Sequence, residues 1–260
     1  MAQISLKILN QAGEVLAEKT GADELGLVYK GEYQEGDHIV LDVEEVNTFY
    51  YVQLDDAKGK SCVYLTGAVD FKIPFGDRRI NISDKVFTGN THFLSVKKAF
   101  EEEKDNYRLL SENVWDQHGE VNCYPHASAN VETRGEAVFA ALNAIDGVIA
   151  PEDHWRWPYQ SWGINRRDDA AWKLEFGRTV EMDKLVIYTR ADFPHDNWWE
   201  KMTVTFSDGS VEVLDLVKGG TAQIFNIKKN IEWLEVSNLI KADDPSPFPA
   251  LTQLQVYGRG

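Results

Sequence analysis

The sequence predicts an all-β protein built from two β-sandwich domains. Most of the chain consists of short runs in which apolar and polar residues alternate, which is the pattern of a strand with one buried face. Pieces rich in Gly, Asn and Asp separate these runs, and segments with helical periodicity are few. At 260 residues the chain is longer than one compact β-domain needs, so two domains are expected.

The first domain is predicted at residues 1–110, and a linker is expected at 111–122. Its alternating runs are ISLKIL, EVLAEK, LGLVYK, HIVLDV, FYYVQL, CVYL, FKIPF and HFLSVKK. This spacing of short strands and turns is typical of a β-sandwich. Residues 95–110 are charged and lack Gly and Pro, which predicts a short exposed helix before the linker. No motif in this domain indicates a function.

The second domain, predicted at residues 123–260, repeats the strand pattern. Trp172, Leu174 and Phe176 alternate with charged residues, so one face of this strand is expected to be buried. Further strands are predicted at residues 184–188, 202–206, 211–216, 233–236 and 251–257. The Asp208-Gly209 pair favours a tight hairpin turn because both residues tolerate positive φ. Residues 136–144 are the best helix candidate.

Composition and charge narrow the class of partner. The formal net charge of -15 would repel phosphate backbones and anionic lipids, so neither nucleic acid nor a membrane is expected as a partner. The first ten residues resemble a strand and not a signal peptide, which favours a cytoplasmic location, or an extracellular one if the natural N-terminus is longer. Cys62 and Cys123 fall in different domains and are expected to be free thiols.

Aromatic residues are distributed unevenly between the two halves. All eight tryptophans lie at or after Trp115, as do four of the six histidines. The halves are therefore expected to differ in function, with the binding site in the second.

A series of motifs runs through the second half in a fixed order. They are Ala127–Ala129, Asn143–Gly147 (NAIDG), Trp162, Ala171–Gly177 (AWKLEFG), Lys184–Arg190, Ser207–Gly209 and Leu251–Gly258 (LTQLQVYG). Together they resemble the discoidin, or coagulation factor type C, family, and within it the bacterial family 32 carbohydrate-binding modules. The resemblance covers about residues 122–260 and implies a galactose-binding-like jelly roll. Glu175 and Gln253 depart from the family pattern, which has Asp and an acidic residue at these places.

The segment Asp153–Tyr159 combines two Trp, one Tyr, one His and one Arg, which predicts a binding loop and not a core strand. A sugar ring has an apolar C–H face edged by hydroxyls, so its site needs an exposed aromatic platform and fixed polar groups. The resemblance implies a His three residues before a Trp, and His154 and Trp157 reproduce that spacing. Trp155 belongs to the same loop.

A second candidate loop covers residues 189–199. The resemblance implies that Arg190 and Asn197 hydrogen-bond the sugar. As an alternative, Arg190 forms an ion pair with Asp192 or Asp196 that orders the loop.

Three further aromatic residues are candidates for the site. His195 and Trp198 either bind the ligand or brace the loop, and one of the adjacent Trp198 and Trp199 is expected in the core. Phe248 either closes over the ring or packs beneath its own loop.

The resemblance also implies a structural calcium ion, with Asn143, Asp146 and Gln253 as the matching ligands. Calcium prefers six to eight oxygen ligands. Gln253 keeps an oxygen but lacks a charge, so weaker binding is expected than in the family. A zinc site at His118, Cys123 and His126 is an alternative that has no evident fourth ligand.

These features favour a non-catalytic, lectin-like protein that recognises a mono- or oligosaccharide, with galactose-type or N-acetylated hexoses implied by the resemblance. The sequence has no nucleophile elbow, metalloprotease motif or P-loop. Two alternatives remain. One is a glycan-active hydrolase or lyase with its site between the domains, and the other is a protein-interaction adaptor.

Overall fold

The computed structural model describes residues 2–149, 157–191 and 196–260. These residues are almost all β and form three antiparallel sheets, which confirms the predicted fold class. No helix among them is long and apolar enough to cross a membrane.

Two sheets make the first sandwich. Its strands are β1 (Gln3–Leu9), β2 (Val15–Ala22), β3 (Glu24–Tyr29), β4 (His38–Val43), β5 (Thr48–Gln53), β6 (Ser61–Leu65), β7 (Val69–Lys72) and β8 (His92–Lys98). One sheet has the order β2-β1-β4-β7, and the other contains β6-β5-β8-β3. In β1 the alternate residues Ile4, Leu6 and Ile8 are fully buried, as the period of two requires.

The third sheet makes the second sandwich. Its strands are β9 (Arg108–Leu109), β11 (His126–Ala129), β12 (Trp162–Gly163), β13 (Trp172–Arg190), β14 (Trp199–Phe206), β15 (Val211–Asp215), β16 (Gln223–Lys241) and β17 (Ala250–Arg259), while β10 (Cys123–Tyr124) pairs with β6. The main order is β12-β17-β13-β16-β14-β15. The pairing of β13 with β16 shifts register between Glu175 and Val180. Residues from both ends of β13, among them Trp172 and Ile187, lie in one core.

Helical structure is shorter than predicted. The described helices are α1 (Glu101–Lys104) and 3₁₀ turns at Gly76–Arg79, Thr133–Gly135, Ala137–Phe139 and Ala141–Ile145. The helix predicted at 95–110 is wrong outside α1, because residues up to Lys98 continue β8. The helix predicted at 136–144 is interrupted at Ala140, whose backbone is extended. There Asn143 Nδ2 donates to the Ala137 carbonyl at 2.8 Å, a side-chain bond that competes with helical pairing.

The junction between the sandwiches, residues 108–124, is called woven here because its residues contact first one core and then the other. It is not an exposed linker. β9 pairs with β17 of the second sandwich, whereas Trp115 and Cys123 lie in the core of the first. Between them, Ser111 is buried and its hydroxyl donates to the Leu254 carbonyl. The chain therefore crosses between the two cores within residues 108–124.

Candidate functional site

A pocket of about 310 Å³ opens at one end of the second sandwich. It is lined by residues 133–134, 139, 159, 163–166, 190 and 247–250. The sheet register brings these segments together, since Ala250 at the start of β17 pairs with Gly163 on one side and Arg190 on the other. The end of a sandwich is where loops can vary without disturbing the core, so binding residues collect there.

Close packing fixes the shape of one wall. The Asn165 backbone N–H donates to Thr133 Oγ1 at 2.9 Å, which joins the segment after β12 to the 3₁₀ turn at Thr133–Gly135. A Cβ atom on Gly163 would come within 2.7 Å of the same Thr133 oxygen. A glycine is therefore needed for the two segments to approach each other.

Three aromatic rings line the pocket. Phe139 and Tyr159 pack edge to face with 6.2 Å between ring centroids, and Phe248 remains 37% exposed. Burial is the main cause that raises the pKa of Tyr159 to about 12, so its hydroxyl keeps its proton at neutral pH. The wall thus combines an accessible aromatic face with a phenol that keeps its proton.

Arg190 lies beneath this wall and is only 3% exposed. Its guanidinium is 3.1 Å from Asp196 Oδ1, donates to Ser161 Oγ at 3.3 Å, and stands over the Tyr159 ring at 4.4 Å. The ion pair with Asp196 is the alternative that the sequence left open, and Arg190 forms it while also lining the pocket.

Asn197 is fully buried and does not line the pocket. Its Nδ2 donates to the carbonyls of Ser246 at 2.7 Å and Ala242 at 3.3 Å, and its Oδ1 accepts the Trp198 N–H. These contacts use the Asn197 amide to hold the loop that carries Phe248, so the structure does not bring Asn197 to the pocket with Arg190.

The remaining predicted binding residues fall into two groups, those outside the described residues and those that the structure describes. His154, Trp155 and His195 lie outside the described residues. Trp157 is exposed at 44% but does not line the pocket. Trp198 is half-buried and also lies outside the lining, while its neighbour Trp199 is fully buried, as the alternation of a strand predicts.

Sequence reasoning missed two pocket arginines, Arg134 and Arg166, and the ring of Phe139. Their segments match no family motif. The one available signal was a pair of arginines, Arg166 and Arg167, directly after the strand that begins at Trp162.

The predicted calcium ligands converge but do not fit the ion. Gln253 Nε2 donates at 2.6 Å to both the Asn143 carbonyl and Asp146 Oδ1, while its Oε1 accepts the Gly147 N–H. Gln160 Nε2 donates to the other Asp146 oxygen at 2.7 Å. The Gln253 NH₂ group thus stands against the oxygens that would ligate calcium, and one carboxylate is a poor donor set for a divalent ion.

The zinc alternative is not supported by the geometry. His118 bonds Glu132 at 2.9 Å, and His126 Nδ1 bonds Asp116 at 2.7 Å. Cys123 is buried in the first core, where burial raises the pKa of its thiol well above the ordinary value. Within the described residues no group of three His, Cys, Asp or Glu could hold a metal ion.

A second cleft of about 360 Å³ lies between the sandwiches. Asp116 is the one carboxylate in its described lining, and its two oxygens accept bonds from His126 and from the Ala127 N–H. Glycoside hydrolysis uses two carboxyl groups that flank the bond. The described part of this cleft therefore does not provide the pair that the hydrolase alternative needs.

No family model matches the chain, and no curated protein matches it. Similar solved structures include the family 32 carbohydrate-binding module of C. perfringens NanJ in complex with galactose, with a TM-score of 0.42 and 15% identity over 58% of this chain and 99% of that one. Chitosan-binding module 1 from a Paenibacillus sp. IK-5 chitosanase/glucanase has a TM-score of 0.41 and 16% identity over 58% and 99%. The lectin domain of lectinolysin complexed with Lewis B antigen has a TM-score of 0.41 and 19% identity over 53% and 94%.

Proposed function

We propose that the protein binds a mono- or oligosaccharide in the pocket of the second sandwich and does no chemistry on it. The observation that carries the proposal is the accessible ring of Phe248 in the same pocket as the Tyr159 phenol and the arginines. The C–H face of a sugar stacks on such a ring, and its hydroxyls accept hydrogen bonds from phenol and guanidinium groups.

The size and lining of the pocket suit this role. Its volume of about 310 Å³ is at the lower end of the range for small-ligand sites, as expected for one or two sugar rings. No Asp or Glu is among the described lining residues, which supports binding over glycoside hydrolysis. For a shallow site of this kind we expect dissociation constants of roughly tens of micromolar to millimolar.

A glycan array run with the native protein and the Phe248→Ala variant tests the proposal. We expect a signal for a defined glycan that falls at least about tenfold in Phe248→Ala, because the stacking platform is lost. Phe100→Ala is the matched control: Phe100 is an exposed ring with a lysine over it at 4.0 Å, as Phe248 has Arg166 over it, but it lies in the α1 region.

Two results would contradict the proposal. One is a native protein that gives no signal on a broad array, and the other is a signal that Phe248→Ala leaves unchanged. Competition by the free sugar separates this reading from the protein-interaction adaptor, since an adaptor would keep its partner in the presence of the sugar.

A further inference from the structure

The three arginines of the pocket differ in their partners. Arg134 pairs with Glu136 at 2.6 Å, and Arg190 pairs with Asp196 at 3.1 Å. Arg166 is exposed, with its guanidinium over the Phe248 ring at 4.8 Å, and no carboxylate of the described residues forms an ion pair with it. Two of the three positive charges are thus neutralised within the described structure, and the third is left at the pocket mouth.

Arg166 also has an unfavourable backbone conformation. Asn165 and Arg166 have φ values of 49° and 60°, and the Arg167 N–H closes the turn on the Ile164 carbonyl at 3.0 Å. These values describe a tight turn of the type that favours Asn followed by Gly. Arg at the second position is strained where Gly would not be. The turn itself therefore gives no reason for an arginine.

The same feature recurs across the pocket. Arg134 has φ 54°, and the two described arginines with positive φ both line this pocket. Strained non-glycine residues persist where the surrounding structure holds them, and they cluster at ligand sites. The strain thus points to the side chains, which both turns present to one cavity.

We propose that the pocket selects an acidic sugar, a uronic acid whose carboxylate pairs with Arg166 while its ring stacks on Phe248. This inference rests on the proposed function and names its ligand class. The planar guanidinium of Arg166 can bind a carboxylate through two parallel hydrogen bonds. An anionic ligand needs such a local charge, since the chain as a whole carries a net charge of -15 and repels anions.

Titration calorimetry with matched sugar pairs tests the inference. The probes are galactose and galacturonate, glucose and glucuronate, and mannose and mannuronate, each as the methyl glycoside, together with any glycan that binds on the array. For at least one pair we expect the uronate to bind about tenfold tighter than its neutral parent, with an advantage that shrinks as salt is added.

The Arg166→Gly variant removes the charge and relieves the turn. We expect it to lose the preference, so that the uronate binds no tighter than its neutral parent. Gly relieves the positive φ at residue 166, and a melting temperature measured beside that of the native protein shows whether unfolding explains the loss. Arg167→Ala is the matched control, because Arg167 is the adjacent arginine, pairs with Asp169, and lies outside the pocket lining.

Failure of this inference can be distinguished from failure of the proposed function. Equal binding of neutral and acidic sugars by the native protein, or array hits that are all neutral, would overturn the inference and leave the proposed function standing. A uronate preference that survives in Arg166→Gly would also overturn it. No binding of any sugar would overturn both.

Discussion

Two polar clusters lie side by side in the second sandwich and are built differently. The first, called the closed network here, consists of Asn143, Asp146, Gln160 and Gln253, whose amide and carboxylate groups meet one another or nearby backbone. The second is the pocket, where Arg166 is left without an ion-pair partner among the described residues. The difference teaches that polar groups satisfied within the chain serve the architecture, whereas the groups left over indicate where a ligand belongs.

The largest effect on stability should come from opening the closed network. Gln253→Leu removes the donor to the Asn143 carbonyl and Asp146 and the acceptor of the Gly147 N–H, which leaves buried polar groups without partners. We expect the free energy of unfolding in urea to fall by about 3 kcal/mol. Gln255→Leu, two residues along the same strand, loses one bond from Tyr257 and should cost less than about 1 kcal/mol. Equal costs for both variants would show that the network is not special.

A second experiment asks whether the closed network takes the place of a metal site. The native protein should melt at the same temperature in millimolar calcium and in chelator, because the Gln253 amide already satisfies the oxygens. Gln253→Glu places a second carboxylate beside Asp146 and should be destabilised in chelator and rescued by calcium. A calcium-dependent melting temperature in the native protein would contradict this account.

A smaller, pH-dependent effect on the free energy of unfolding is expected from the His126–Asp116 pair at the junction. Burial opposes the charging of His126, but the hydrogen bond and charge of Asp116 outweigh it, and the pKa of His126 is raised above its ordinary 6.5. A raised folded-state pKa gives a stabilisation that is complete below the unfolded value and is lost as pH rises through the folded one. The free energy of unfolding should therefore decline above about pH 6.5, and His126→Gln should flatten that decline.

Burial also raises the pKa of Asp116, the partner of His126, although the hydrogen bonds from His126 and the Ala127 N–H oppose this. His118→Gln is the comparison variant: the pKa of His118 is also raised, by Glu132, but its side chain is exposed and the slope it contributes should be smaller.

The smallest effect is expected at Trp157, which the sequence favoured as the stacking platform. It is exposed but lies outside the pocket lining, so Trp157→Ala should change sugar affinity by less than about twofold. Titration calorimetry beside Phe248→Ala measures this directly. A loss of affinity comparable to that of Phe248→Ala would show that the binding site extends beyond the pocket to Trp157.

Sequence reasoning reached the strands more easily than the site. The alternation of Trp172, Leu174 and Phe176 predicts a buried face because the period of a strand is fixed, and all three are fully buried. The motifs also pointed to Arg190, which lines the pocket. Spacing alone could not show that Asn197 turns inward to Ser246, because that depends on where a distant loop returns.

Arg166 shows the same limit of sequence reasoning, here for a pocket residue that the sequence did not indicate. Its turn looks ordinary in sequence, and its importance depends on a backbone angle and on the position of Phe248, about eighty residues away. The woven junction was missed for a related reason. Short strands such as β9 and β10 carry too few residues for any periodicity to be recognised.

That woven junction bears on how the two sandwiches can be inherited. A recombination at any single point between β9 and β10 separates β9 from the second sandwich and β10 from the first. A point before Trp115 also removes that residue from the core of the first sandwich. A gene segment for residues 123–260 would leave the backbone of Tyr257 and Gly258 without the partner strand it has here. The second sandwich as folded here therefore includes β9, and a fragment that keeps all its strand pairings has to begin no later than Arg108.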